Sequence, residues 1–205
     1  MRYSLFVVLV FVEALLPARV WTQQSPAPGA ALIQVEGELY LDDRAAGTMS
    51  TPFALPDDVV VHASRGRAVI ALKRGGLLFL DSGSSVRVVG NGVYNFNRIE
   101  VLTGSAVVAS GASAPLVACE NEIRLSDAGL FRFDVTAARE RECRFRVFEG
   151  AAAVPLVSVT NALRGGQSMT CNRRCGDMVP TMTFPREQLD EFDRWARQLR
   201  ERLAK

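Results

Sequence analysis

The chain has 205 residues with 24 basic and 22 acidic side chains, giving a formal net charge of +2, and it contains a single histidine. This balance excludes the strongly basic surface of a protein that binds nucleic acid or an anionic membrane. The length is sufficient for one ordinary domain with a sizeable core.

The N-terminus has the pattern of a signal peptide. Arg2 is a short basic start, and residues 5–16 form an apolar run of the length of a signal-peptide core. The run is shorter than the roughly 20 apolar residues of a membrane span, and Glu13 interrupts it. Small residues allow cleavage after Ala18 or Thr22, and we predict Thr22. The alternative is an uncleaved N-terminal anchor. After cleavage we expect a soluble periplasmic or extracellular chain without a membrane span.

Most of the remaining chain has the pattern of β-structure. Residues 32–41 alternate between apolar and polar side chains, and residues 59–61 are three valines after a turn signal. Residues 68–72 and 77–80 flank a glycine pair and predict a hairpin or a tight corner. No helical period competes before residue 180. The sequence therefore predicts a leader at 1–22, an all-β domain at 23–178, and a connector with a helix at 179–205.

A short glycine pattern, Val-x-x-Gly-x-x-x-aliphatic, recurs within the predicted strands, in a looser form around Gly37. Its glycines are Gly37, Gly104 and Gly150, spaced at 67 and 46 residues. Both intervals are near multiples of about 22 or 23 residues, as the stacked coils of a β-solenoid give. A meander or roll of hairpins with a glycine at each bend explains the pattern equally well, and both alternatives stay open.

All four cysteines, Cys119, Cys143, Cys171 and Cys175, lie in the second half of the chain. An even number in an exported chain indicates two disulfides. Of the three pairings we prefer Cys119–Cys143, between neighbouring strands, with Cys171–Cys175 closing a small loop. A metal site is the rival interpretation, but three residues between cysteines without nearby histidines is poor spacing for zinc.

The C-terminus predicts an amphipathic helix over residues 186–205, with Pro185 at its first position. Acid-before-base pairs four residues apart, Asp190 with Arg194 and Asp193 with Arg197, support it. We expect the helix to dock on the β-domain or on a partner, and we favour docking on the domain for Phe192. The docking stripe is Leu189, Phe192, Ala196, Leu199 and Leu203, with Trp195 beside it.

Residues 32–111 resemble the FecR-like domain of the bacterial cell envelope. The resemblance rests on a first strand with Gly37, on the succession of strands and turns at residues 55–89, and on the glycine strand at residues 99–108. Residues 190–195 (DEFDRW) are similar to a D-x-F-x-x-W segment near the C-terminus of some exported relatives.

The resemblance implies a non-enzymatic envelope module, active in sensing or signalling, that binds a protein partner or a cell-wall glycan. FecR regulators also carry a cytoplasmic segment that contacts a sigma factor. Because the predicted leader begins at Met1, we expect no such segment here.

Catalytic and metal sites are not indicated. His62 lies in a strand-like stretch, where a lone histidine is typically structural. Two carboxylate pairs have simpler explanations, since Glu36 and Glu38 share the polar face of a strand and Asp57 and Asp58 follow Pro56 in a turn. We therefore predict no enzyme activity, no cofactor and no metal.

Two further surface features bear on binding. Exposed aromatic side chains on a β face stack on sugar rings, so a carbohydrate-binding or degenerate hydrolytic domain is the alternative function. The candidates for such stacking are Tyr40, Tyr94, Phe96 and Trp195. A run of arginines interleaved with glutamates predicts a solvated strand pair rather than a phosphate site. The run contains Arg139, Arg141, Arg144 and Arg146.

Overall fold

A computed structural model describes residues 29–46, 49–72, 76–90, 97–111, 114–118, 121–125, 128–137, 142–155, 160–172 and 181–205. The first strands are β1 (Ala30–Leu41), β2 (Arg44–Ala45), β3 (Phe53–Ala54), β4 (Val59–Leu72), β5 (Leu77–Leu80), β6 (Ser84–Gly90) and β7 (Asn97–Ser110). Then follow β8 (Ala114–Ala118), β9 (Asn121–Leu125), β10 (Gly129–Val135), β11 (Glu142–Glu149), β12 (Ala151–Pro155), β13 (Thr160–Arg164), β14 (Gln167–Asn172) and β15 (Thr181–Thr183). In the described ranges one helix follows them, α1 (Glu191–Leu203).

The strands form one continuous hydrogen-bonded sheet, and successive strands are mostly neighbours. β4 pairs with β1 and also with β5 and β6. β7 pairs with β5 and β6 on their other side, so that β4, β5, β6 and β7 form a closed ring of strand pairings. Beyond β7 the order continues through β10, β11, β14 and β15. On its other branch β7 is followed by β8, β9, β12 and β13. The predicted hairpin is present, because Ala71 of β4 lies opposite Leu77 of β5.

The long strands change face at their middle. In β4 the core-facing positions are Val59 and Val61 in the first part but Ala68 and Ile70 in the second, a shift from odd to even numbers. Because side chains alternate along a strand, such a one-residue slip turns the second part over relative to the first. Both parts of the strand therefore point their apolar side chains into the same core.

The sheet consequently folds over itself in two layers around that core. Layer A contains β5, β10, β11, β14 and β15 with the adjoining parts of β1, β4 and β7. Layer B contains β6, β8, β9, β12 and β13 with the other parts of the same three strands. Side chains from both layers meet in one buried cluster, which includes Leu32, Ile70, Val86, Val101 and Phe133.

The recurring glycines mark the places where the chain passes from one layer to the other. Gly37, Gly104 and Gly150 all have positive φ, a conformation that costs a side-chain-bearing residue roughly 1–2 kcal/mol. Gly37 lies opposite Gly66 in the register of β1 and β4, where the two backbones approach too closely for a Cβ atom.

The direction of strand pairing bears on the two alternatives for the glycine pattern. Stacked solenoid coils pair in parallel, whereas every pair among the described strands is antiparallel except β7 with β8. The fold is mainly β with a C-terminal helix, and this antiparallel pairing does not support the solenoid.

The helix prediction was correct in type but wrong in its start. The helix begins after Asp190, which is its N-cap, and not at Pro185. The side chain of Asp190 accepts from the N–H of Asp193, and the Asp193 side chain accepts from the N–H of Asp190, at 2.8 and 3.3 Å. This capping box satisfies two of the backbone N–H groups that have no carbonyl partner within the helix at its observed start.

Two of the cysteines are described, and neither is a free thiol. Cys143 of β11 lies directly opposite Cys171 of β14. Cys119 and Cys175, the predicted leader, Tyr94 and Phe96 lie outside the described residues, so the pairing of the cysteines and the cleavage site stay predictions. Across the described ranges, no helix is both long and apolar enough to cross a membrane.

Candidate functional site

The outer face of layer A is apolar in its middle, and α1 lies on it. Val69, Phe79 and Val107 point outward from neighbouring strands, on the face opposite to the inner core. The helix buries Phe192, Ala196 and Leu199 against them, and Phe192 retains 2% of its exposure. Leu189 and Trp195 are partly buried at the rim, while Leu203 is 46% exposed.

Phe192 is held between two arginines of the sheet. The guanidinium carbons of Arg67 and Arg132 lie 5.9 and 5.5 Å from its ring centre, and Arg67 also lies 5.2 Å from the ring of Trp195. Trp195 in turn meets Phe79 edge to face, with 5.8 Å between ring centres. Cations over aromatic faces attract the ring quadrupole, so these contacts add direction to the apolar burial.

Arg132 of β10 is the centre of a charged network at the start of the helix. Its guanidinium lies 2.5 Å from Asp190, 2.8 Å from Asp193 and 2.8 Å from its strand neighbour Asp134. The side chains of Arg132 and Asp193 are only 8% and 1% exposed. A buried charge costs several kcal/mol unless it is paired, so this network holds the first turn of α1 over β10.

The ionisation of the network follows from its burial and its partners. Burial works against the charge of Arg132, but Asp134 and Asp193 outweigh it and raise its pKa. Burial also opposes ionisation of Asp190, yet the backbone N–H of Asp193 and the guanidinium of Arg132 hold the pKa of Asp190 below its ordinary value. For Asp193 burial prevails, and its pKa is raised despite Arg132.

Two further ion pairs connect the helix to the sheet on either side. Arg67 contacts Glu191 at 3.0 Å and Asp81 at 3.0 Å. Near the other end of the helix, Arg200 contacts Glu149 at 2.9 Å. The predicted pairs within the helix are not made, because Asp190 and Asp193 turn to Arg132 and Arg194 donates to the carbonyl of Leu189.

Beside the helix start, layer A carries a depression that the helix leaves open, which we call the polar groove. It has a volume of about 580 Å³ and is continued across β10 and β11 by a smaller depression of about 470 Å³. Met182 of the edge strand β15 is 62% exposed at its rim. Its main lining residues are Arg144, Arg146, Ser168, Thr170, Met182 and Asp190.

The other end of the helix borders an apolar groove, also of about 580 Å³. It continues the apolar face of layer A beyond the last helical turn, and Leu203 forms part of its wall. The other main lining residues are Ile33, Ala71, Leu77, Ala109 and Gly129.

The histidine and the carboxylate pairs lie away from this face. His62 places its Nδ1 2.8 Å from the hydroxyl of Ser85, and its ring is tilted against Tyr40. Glu36 accepts from the side-chain amide of Gln34, and Glu38 lies 4.0 Å from Arg65. Within the described parts of the chain, no group of three His, Cys, Asp or Glu side chains is placed to hold a metal ion.

The carboxylate pair at the turn before β4 has a structural environment. Asp58 has a positive φ of 56° and lies 3.6 Å from Arg87. Of the predicted sugar-stacking aromatics, Tyr40 lies beside His62 and Trp195 packs between helix and sheet. They are therefore on different faces of the protein and do not form one platform.

Sequence reasoning missed Arg67 and Arg132, the two sheet residues that bind the helix. Each is an arginine at a strand position whose neighbours on both sides are apolar or small, as in Leu-Phe-Arg-Phe and Gly-Arg-Ala. An arginine inside an apolar strand is rarely buried without a partner, and that was the available signal. The arginine run was also interpreted too simply, because Arg144 and Arg146 line a groove.

Comparison with known proteins places this fold. No family model matches the sequence, and no curated protein matches it. Two crystal structures, at 2.50 and 1.65 Å resolution, of a protein provisionally named an anti-sigma factor from Parabacteroides distasonis are similar in fold. They superpose with TM-scores of 0.51 and 0.52 at 13% and 12% identity, over 62% of this chain and 59% of theirs. The match thus spans less than two thirds of those proteins, and over that part the chain shares their fold.

Proposed function

We propose that the chain is a non-enzymatic, FecR-like module of the bacterial cell envelope that binds a protein partner in envelope sensing or signalling. The observation that carries the proposal is the fold shared with the structures named as anti-sigma factors. The order of strands and glycine bends over residues 32–111 supports the narrower FecR-like assignment.

The cellular location is part of the proposal. The basic start and apolar core at the N-terminus favour export, and cysteines that are not free thiols suit an oxidising compartment. We expect the exported chain to begin near Gln23. Mass spectrometry of protein recovered from the periplasm or medium measures this directly. Recovery of an intact, membrane-bound chain that begins at Met1 favours the anchor instead.

A protein partner is preferred to a glycan because the described aromatic side chains do not form an open stacking surface. Trp195 and Phe184 pack against Phe79 and Phe148 of the sheet. Sugar recognition on a β face depends on aromatic rings that are free to stack on the sugar. The carbohydrate-binding alternative therefore lacks its main contact in this part of the molecule.

The decisive experiment is cross-linking of the tagged protein in intact envelopes, in parallel with a glycan array. We expect one envelope protein to be enriched relative to an unrelated exported β-protein, and to bind the purified chain directly. Binding to the array without a protein partner would support the carbohydrate-binding alternative.

The close contact between His62 and Ser85 provides a separate test of the non-enzymatic assignment. A serine nucleophile reacts with fluorophosphonate probes when a base and its orienting group activate it. We expect no labelling of Ser85 under conditions that label a serine hydrolase. Labelling that disappears in His62→Gln would favour the degenerate hydrolytic alternative.

A further inference from the structure

The polar groove contains an arginine, Arg144, whose charge has no counterpart among the described residues. Arg144 projects from β11 on the outer face of layer A and is exposed. It makes no ion pair in the described part of the chain, although Asp134 lies opposite it in the register of β10 and β11. Asp134 is already engaged by Arg132 and Arg146.

Its neighbour Arg146 is only partly compensated. One terminal nitrogen donates to Asp134 at 3.0 Å, the guanidinium lies 5.7 Å from the ring of Phe148, and Nε is buried without a hydrogen-bond partner. These contacts fix the guanidinium beside the groove and leave part of its charge and of its donor capacity unmatched. A rigid arginine loses less entropy when an anion binds than a mobile one does.

The remaining lining completes a site for a peptide carboxylate. The hydroxyls of Ser168 and Thr170 stand on β14 directly across from Arg146 and Arg144, so each arginine has a neighbouring neutral donor or acceptor. Two acids beside the groove are engaged by arginines, Asp134 by Arg132 and Arg146 and Asp190 by Arg132. Glu142, the remaining acid, lies at the far end in the smaller depression.

We propose that the polar groove binds an acidic segment of the partner protein, with carboxylates on Arg144 and Arg146 and an apolar side chain on Met182. This inference rests on the proposed function and names the chemistry of its partner. The groove favours a peptide over a glycan because its exposed apolar contact, Met182, is a flexible thioether, while Phe184 of its lining packs edge to face on Phe148. Arginine recognises carboxylates in two-pronged geometry, which gives this site its selectivity.

The test uses two immobilised libraries of short peptides, one rich in Asp and Glu with single Leu or Met residues, the other with Lys and Arg in the acidic positions. We expect the full-length protein to select acidic sequences and to lose affinity as salt increases. Arg144→Glu should weaken binding to a selected acidic peptide by about tenfold or more. Arg144→Glu places a carboxylate opposite Asp134, so the neutral variant Arg144→Gln is measured beside it. Arg144→Gln should also weaken peptide binding, and it should melt at the same temperature as the parent because Arg144 makes no ion pair with the described residues.

The matched control is Arg124→Glu, the same charge reversal at an exposed strand position of layer B, where Arg124 forms an ion pair with Glu122. It should bind the peptide as the parent does. An equal loss of peptide affinity in both variants, or selection of neutral or basic peptides, would show that the groove does not bind an acidic segment. If an envelope partner is found whose binding is unchanged by Arg144→Glu, the groove proposal is wrong while the proposed function stands. Binding to glycans alone would contradict both.

Discussion

Gly66 and Gly83 both have positive φ, but their surroundings differ. A Cβ built on Gly66 would lie 1.7 Å from the carbonyl oxygen of Glu36, whereas at Gly83 nothing lies within 4 Å. Gly83→Ala should therefore cost only the strain of its backbone conformation, about 1 kcal/mol. Gly66→Ala should cost at least about 2 kcal/mol more, because β1 and β4 must separate. Denaturant unfolding of the two variants measures the difference. Equal costs would mean that the close approach of the two strands relaxes freely.

Arg132 gives a second prediction at the level of single residues. Arg132→Ala leaves the buried carboxyl of Asp193 without its cation, so we expect a loss of about 3–5 kcal/mol in the free energy of unfolding. The loss should appear in thermal or denaturant unfolding of the full chain.

The control for this prediction removes both charges. The double variant Arg132→Met with Asp193→Asn keeps an oxygen for the capping box and buries no uncompensated ion. It should be more stable than Arg132→Ala alone. If the double variant is the less stable of the two, the ion pair contributes more to the free energy of unfolding than it costs to leave Asp193 buried without its cation.

For the helix as an element, Phe192 is the largest of the buried side chains. Phe192→Ala should cost about 3 kcal/mol or more, whereas Leu203→Ala, at a half-exposed position, should cost far less. Trp195 is the one tryptophan in residues 29–205, so its fluorescence reports docking of the helix. Removal of residues 186–205 should lower the melting temperature and raise aggregation, because the face beneath is apolar. An unchanged melting temperature after truncation would mean that the helix stabilises nothing.

Docking of the helix should also depend on pH, with two opposed contributions. The pKa of Asp190 is lowered in the folded chain, so its contribution is present above the ordinary value of 3.8 and is lost as the pH falls further. The pKa of Asp193 is raised, so its contribution becomes more favourable as the pH falls from neutrality towards 3.8. The melting temperature measured between pH 7 and pH 2.5 should rise slightly and then fall. Asp193→Asn should abolish the rise, and Asp190→Asn should reduce the fall.

Sequence patterns predicted the helix but not where it begins or what holds it. Apolar spacing around Phe192 depends on residues a few positions apart, and that is visible in sequence. The Asp190 side chain is contacted by Arg132, which is 58 residues away, and Glu191 contacts Arg67 across 124 residues. Because such partners are brought together only by the folded sheet, local spacing favoured ion pairs within the helix instead.

At the scale of the whole molecule, the cysteines of β11 and β14 are the remaining constraint. We predict Cys119–Cys143 and Cys171–Cys175, with the longer loop stabilising by roughly 3 kcal/mol through restriction of the unfolded chain. Peptide mapping without reduction tests the pairing. The register of β11 and β14 makes a Cys143–Cys171 link the main alternative, and its recovery would overturn the prediction.

The all-β class was predictable because alternation and turn residues act within a single strand. The choice between coils and hairpins was not, since glycines such as Gly104 and Gly150 occur at bends in both architectures. What decides between them is the partner of each strand, and a strand's own residues do not specify it. The face change within β4 likewise appears in sequence only as two short apolar runs out of phase.

The passage of β1, β4 and β7 through both layers has a consequence for how the protein unfolds. A sandwich of two separate sheets can open one sheet while the other persists. Here β1, β4 and β7 each run through both layers. Disordering one half of β4 therefore also breaks hydrogen bonds that hold its other half in place. Opening free energies measured by amide exchange should therefore converge on one global value across both layers, while the helix, joined by side chains alone, exchanges separately.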